Sequence, residues 1–103
     1  MILSGGVNVF PKDIEEIVAR HAEVADLAVI GVPHEKWGET PLAFVIKRAG
    51  SSLTADELTR WANERLAKHQ RIGGVEFRDE LPRNALGKVL KKELREPYWR
   101  RDE

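Results

Sequence analysis

The sequence predicts an α+β fold: a small domain with a three-stranded, mainly antiparallel sheet packed by helices. Three observations predict it. Two apolar runs, residues 24–32 and 42–46, lie a short polar segment apart. A capping-box signature, Thr54-Ala55-Asp56-Glu57, opens an amphipathic stretch. The length of 103 residues is that of one small domain.

Met1-Ile2-Leu3 reads as a strand end, broken by Ser4-Gly5-Gly6. Pro11 suits the first position of a helix, with Asp13, Glu15 and Glu16 in the first turn to complement its dipole. Ile14, Ile17, Val18 and His21 follow at i, i+3, i+4 and i+7, an amphipathic helix of about three turns. The β-branched run from Val24 to Val32, closed by Pro33, reads as a buried strand. Residues 34–40 are polar, hold Trp37-Gly38 and read as a loop; residues 42–46 return as an antiparallel strand. Gly50-Ser51-Ser52 ends it. Thr54 caps a helix with Leu58, Trp61, Ala62 and Leu66 on one face, running to about Lys68. Residues 69–74 are a linker, and Val75-Glu76-Phe77 alternates as the third strand. Leu81-Pro82-Arg83-Asn84 is extended or turn-like because of its proline. After Gly87, Leu90 and Leu94 mark a short helix stopped by Pro97. There is no repeat and no low-complexity stretch.

Composition narrows the function. Seventeen basic against seventeen acidic residues leave no net charge, which argues against nucleic-acid binding through counterion release. The absence of cysteine excludes a disulfide framework and a thiolate zinc site. The longest mostly apolar run, residues 27–32, is too short for a membrane span, and no signal-peptide pattern opens the chain. A soluble, cytoplasmic domain is expected. Such a domain buries roughly 60–65 % of its unfolded surface, little more than one core, so a complete two-substrate enzyme is not expected. Charge is uneven: residues 1–67 carry seven basic and ten acidic groups, residues 68–103 ten and seven. The C-terminal third suits an anionic ligand or surface.

Singly, the candidate features are weak. Gly5-Gly6 reads first as a tight turn with positive φ, and second as backbone bare enough for a ligand chain to slide along. Gly87-Lys88 lacks the spacer of a phosphate-binding P-loop and reads alone as a solvated lysine after a flexible joint. His21, His34 and His69 have no metal-ligand spacing, so no metal site is expected. Trp61 reads as core, whereas Trp37 in its polar loop suggests stacking on a base or a partner surface.

Together they are specific. Ser4-Gly5-Gly6-x-Asn8-x-x-Pro11-x-x-Ile14-Glu15 resembles the opening of the C-terminal domain of adenylate-forming enzymes: acyl- and aryl-CoA synthetases, luciferases and nonribosomal-peptide adenylation domains. Ala28-Val29-Ile30-Gly31-Val32-Pro33, Trp37-Gly38-Glu39 with Pro41-Leu42-Ala43-Phe44-Val45, and Leu81-Pro82-Arg83-Asn84-Ala85-x-Gly87-Lys88-Val89-x-Lys91-x-x-Leu94-Arg95 resemble later stretches of that domain, in order. The tail Arg95-Glu96-Pro97-Tyr98-Trp99 is similar to that of bacterial fatty-acyl-CoA ligases.

The resemblance implies that residues 1–103 are the lid of an AMP-forming acid–CoA ligase, a fatty acid being the expected substrate, with the large N-terminal domain as partner and absent here. Met1 falls inside a family motif, which implies that it is not a natural start. The family uses ATP with Mg2+ to form an acyl-adenylate, then turns the lid and admits coenzyme A. Lys88 is implied as the catalytic lysine of adenylation, for a late-delivered ammonium stabilises charge building on the phosphoryl oxygens. Gly5 and Gly6 are implied to line the pantetheine tunnel, Trp37 to meet the CoA nucleotide and Arg71 its phosphates. Family members show an aromatic residue, a basic residue and a Pro-Lys pair where this chain has His69-Gln70-Arg71-Ile72-Gly73-Gly74. The fragment alone is expected to be inactive and to hold no ligand tightly. Transfer to a carrier-protein thiol, and a non-catalytic interaction module, stay open as alternatives.

Overall fold

A computed structural model describes residues 1–99. In chain order these form β1 (Ile2–Ser4), β2 (Val7–Val9), α1 (Pro11–Val18), β3 (Val24–His34) and β4 (Gly38–Lys47). Then come α2 (Ala55–Arg65), a single 3₁₀ turn (Lys68–Gln70), β5 (Gly74–Phe77) and α3 (Lys91–Trp99). Arg100 and Arg101, which add to the positive C-terminal third, lie outside the described residues.

The two apolar runs pair as one long antiparallel ribbon, from Val24 opposite Lys47 to His34 opposite Gly38. Pairing thus extends through the polar residues expected to be a loop and leaves only Glu35-Lys36-Trp37 unpaired. β4 is central. Its second edge takes β1 at one end, antiparallel, and β5 along its middle, parallel. The sheet has five strands, ordered β2-β1-β4-β3 with β5 beside β4. The α+β class holds, but two strands more than the expected three are present, because β1 and β2 are three-residue strands too short for alternation to reveal. β5 returns parallel to β4 through α2, as a crossover helix allows.

Side chains alternate across the ribbon and both faces are covered, which is why the strands read as unbroken apolar runs. Val29, Ala43 and Val45 meet Ile14 and Val18 of α1 and Leu58 and Ala62 of α2. Ala28, Ile30 and Phe44 face the other way, under Leu81 and Leu94. Trp61 packs half-buried against the first cluster, with the His21 ring edge-on at 4.8 Å and Arg65 above it at 4.0 Å.

Several element ends differ from expectation. β3 does not close at Pro33, which pairs with Glu39 inside the strand. The amide of Val29 and the carbonyl of Gly31 both point off the sheet, toward the Glu15 carboxylate (2.8 Å) and Trp99 Nε1 (2.8 Å), so by the two-residue period Pro33 lacks a donor only on the outer edge. α1 has eight residues rather than three full turns, since Arg20 and His21 donate to Ile17 and Val18 in tightened turns of 3.1 Å. α2 stops at Arg65, where Leu66 turns extended (φ −86°, ψ 148°) and is buried. Pro97 lies within α3 instead of stopping it. Tyr98 donates to Glu76 (2.7 Å) and Trp99 to Gly31, and these tertiary bonds hold the turn despite the missing proline donor.

The capping box forms as expected: Glu57 N donates to Thr54 Oγ1 (3.1 Å) and Thr54 N to Glu57 Oε1 (3.0 Å). The Thr54 amide, then its hydroxyl, holds the Glu57 carboxyl below the usual range. Thr54→Ala is expected to cost about 1 kcal/mol by urea denaturation at neutral pH. Because Glu57 is depressed in the folded state, its contribution is present above the unfolded pKa and lost as pH falls through the folded one. The advantage of wild type over Glu57→Ala should therefore narrow in acid; an unchanging difference down to about pH 3 would rule the charge-assisted box out. No helix of the described residues is long and apolar enough to cross a membrane.

Candidate functional site

Gly5 and Gly6 form the two-residue turn of the β1–β2 hairpin, with φ of +58° and +82°. Both central residues left-handed is the turn whose twist matches a two-stranded ribbon, and glycine takes it without steric cost. The tight-turn reading of this pair is therefore correct. Gly5 has a second constraint: its amide donates to the Trp37 carbonyl (2.9 Å), and a Cβ on it would stand 3.3 Å from the indole. A Cβ on Gly6 would meet nothing within 4 Å.

Trp37 stays half-exposed because His34 shapes its loop. His34 Nδ1 accepts from the amides of Lys36 and Trp37, both at 3.1 Å, and its ring stacks on the indole at 6.0 Å. Lys36 Nζ lies 4.8 Å from the same ring. Arg71 is brought alongside by two anchors. Asn63 bonds both backbone groups of Ile72 (2.8 and 3.0 Å), and Gly73 N donates to the Pro41 carbonyl (2.7 Å). Gly5, Trp37 and Arg71 consequently line one open cleft of about 460 Å³, with Val7, Lys68 and His69. Gly6 is not among its lining residues.

Lys88 is elsewhere, and its turn is not a loose joint. Arg83 bridges to Val89; Asn84 N donates to Lys88 O (2.9 Å) and Gly87 N to Asn84 O (3.0 Å). Asn84 Oδ1 accepts from Leu86 N (2.9 Å) and Lys88 N (3.0 Å), while Gly87 supplies a φ of +85°. The exposed Lys88 ammonium forms no ion pair with any described residue. It borders a cavity of about 710 Å³ that Leu27, Asn84 and Lys91 also line. From Leu27 to His34 the strand advances seven residues, about 23 Å at ~3.3 Å each, so Lys88 and Trp37 occupy opposite ends of the β3–β4 ribbon.

Of the five residues singled out, Gly5, Trp37 and Arg71 meet in the cleft, Gly6 shares the hairpin turn with Gly5 but does not line the cleft, and Lys88 stands apart. Sequence reasoning missed Lys68 and His69, which only the 3₁₀ turn carries to the cleft, and His34, whose nitrogen acts through two local amides. Among the described residues no group of three or more His, Asp or Glu gathers as a metal site.

Residues 13–88 match the family model described as AMP-binding enzyme C-terminal domain. The chain is 49 % identical over 96 residues to a long-chain-fatty-acid–CoA ligase of Yersinia pestis, covering 93 % of this chain and 17 % of that enzyme. To a 2-succinylbenzoate–CoA ligase of Lactococcus lactis it is 40 % identical over 95 residues, 92 % of this chain and 20 % of the relative. The crystal structure of ATP-bound MatB from Rhodopseudomonas palustris superposes with a TM-score of 0.88 at 40 % identity, over 93 % of this chain and 19 % of that one. The chain thus spans about a fifth of the length of these relatives, is similar to them in sequence over nearly its whole extent, and has the fold of the matching part of MatB. It belongs to the AMP-binding enzyme C-terminal domain family.

Proposed function

We propose that this chain is the mobile C-terminal domain of an AMP-forming acid–CoA ligase, acting with a large N-terminal domain that holds ATP, its Mg2+ and a carboxylic acid. The first half-reaction joins a carboxylate oxygen to the α-phosphorus of ATP and releases pyrophosphate. Negative charge grows on the phosphoryl oxygens, and an unpaired ammonium at the tip of a rigid turn stabilises that charge more than the ground state. Lys88 is that group. In the second half-reaction the CoA thiol attacks the acyl carbonyl and AMP leaves. Arg71 and Lys68 suit the anionic nucleotide of CoA, Trp37 offers an aromatic face, and the side-chain-free Gly5-Gly6 turn suits the thin pantetheine arm.

The observation that carries this reading is the separation of Lys88 from the Trp37 cleft along one ribbon. The strand residues beside the two groups, Leu27 and His34, stand about 23 Å apart along β3, too far for one small reaction centre, so a rotation of the domain exchanges the two groups between steps. A fatty acid is the substrate we favour, on the similarity to the long-chain ligase.

Titrating CoA into this chain tests the thiol-binding half. Half of a tunnel binds weakly, with a Kd of roughly 1 mM. The amides of Gly5 and Gly6 and the Trp37 indole should shift first. Shifts confined to α3 would put the CoA face on the wrong side of the sheet. The chain alone, given ATP and a fatty acid, should release no pyrophosphate.

A further inference from the structure

We infer that two ion pairs, Asp26–Arg83 and Glu15–Lys91, form a brace that positions Lys88, an inference resting on Lys88 as the adenylation lysine. The pairs flank the lysine turn on either side. Arg83 uses both arms of its guanidinium: one pairs with Asp26 Oδ2, the other donates to the carbonyl of Gly87 (2.7 Å), whose peptide bond leads into Lys88. Asp26 is itself fixed, because its other oxygen accepts from Leu27 N (2.8 Å) beside a register irregularity in β3. Such irregularities re-aim side chains at functional edges. On the other side Glu15 Oε2 accepts from both Val29 N (2.8 Å) and Lys91 Nζ (2.9 Å), tying the start of α3 to α1 and β3.

Partly exposed pairs contribute little to folding, and these side chains are 24–40 % exposed. Their convergence on one turn therefore points to geometry. They also sort the charge: Arg83 and Lys91 are neutralised by partners, and Lys88 between them is not. An anion approaching this turn meets an ammonium carried on backbone anchored on both sides and not drawn toward a carboxylate among the described residues. Misplacing a reacting group by about 1 Å costs up to 10²-fold in rate, so a brace of modest strength has a visible kinetic effect.

The test is a mutant cycle in the full-length ligase, read in each half-reaction separately. Arg83→Gln should slow single-turnover adenylation about tenfold, leaving the KM for ATP and thioester formation from pre-formed adenylate unchanged. Lys91→Gln should act in the same direction. In a Lys88→Ala background neither should slow adenylation further, since a brace acting through an absent ammonium has nothing to position. A full Lys88→Ala effect beside an Arg83→Gln effect that is missing, additive or equal in both half-reactions would overturn the brace alone. No effect of Lys88→Ala would overturn the reading of Lys88 and the brace with it.

Discussion

Lys88→Ala in the full-length ligase is expected to lower the adenylation rate by about 10²–10³, near 3–4 kcal/mol of transition-state stabilisation, the scale for one preorganised donor. Lys88→Gln should fall equally far, for a neutral amide does not replace the ammonium. Lys88→Arg should also be poor, because a planar fork does not sit where a compact point charge did. The fold should be untouched: the ammonium has no ion-pair partner among the described residues, and the turn is held by Asn84 and Arg83. The second half-reaction is the internal control. Pre-formed acyl-adenylate plus CoA should give thioester at close to the wild-type rate, since in the proposed cycle the rotated domain would then present Trp37. Trp37→Ala should show the opposite split. Equal losses in both half-reactions for Lys88→Ala would mean that the residue serves stability or docking instead of charge delivery.

How far this was legible in the sequence follows from the range of the interactions involved. The β3–β4 ribbon and the α2 cap rest on local patterns, a β-branched run and a residue pair three apart; the cap formed as read, and the ribbon paired antiparallel as read but ran on past Pro33. Element ends were less legible because long-range contacts set them: Leu66 is pulled into the core, and Tyr98 and Trp99 hold a helix through Pro97. The opening hairpin was half visible, its glycines announcing a turn but its three-residue strands showing no period. For the candidate site, residue types carried the resemblance while their arrangement did not. Gly5 touches Trp37 only because β1 docks beside Gly38 at the head of β4. Asp26 and Arg83 lie 57 positions apart, and no local pattern joins them.

The largest loss of stability is expected at Phe44, on the central strand and fully buried among Ala28, Ile30, Leu81 and Leu94. Tyr98 meets its ring edge-on at 6.0 Å and the Arg78 guanidinium lies 4.8 Å above it. Phe44→Ala should cost about 3–5 kcal/mol, the lost transfer energy plus the cavity left between a strand and α3. Against a total of roughly 5–15 kcal/mol for a domain, that is enough to lower the melting temperature by about 20 °C. Phe44→Leu, which keeps most of the volume, should cost less than about 1.5 kcal/mol. The damage should also be one-sided. Leu81 and Leu94, which bracket the Lys88 turn in the chain, pack on the Phe44 face, whereas α1 and α2 close the opposite face around Val29, Ala43 and Val45. Amide exchange in the variant should therefore rise first in α3 and around Lys88, with α2 protected until global unfolding. The single tyrosine offers an optical check: burial first, and then the bond to Glu76, push the Tyr98 phenol above its ordinary value. A phenol raised in the folded state contributes stability that is present below its unfolded pKa and lost as pH rises through the folded one. Loosening this face should return the phenolate titration toward its ordinary range before α2 melts. Uniform loss of protection on both faces would show that the two cores break together, and that the Lys88 turn has no stability of its own to lose.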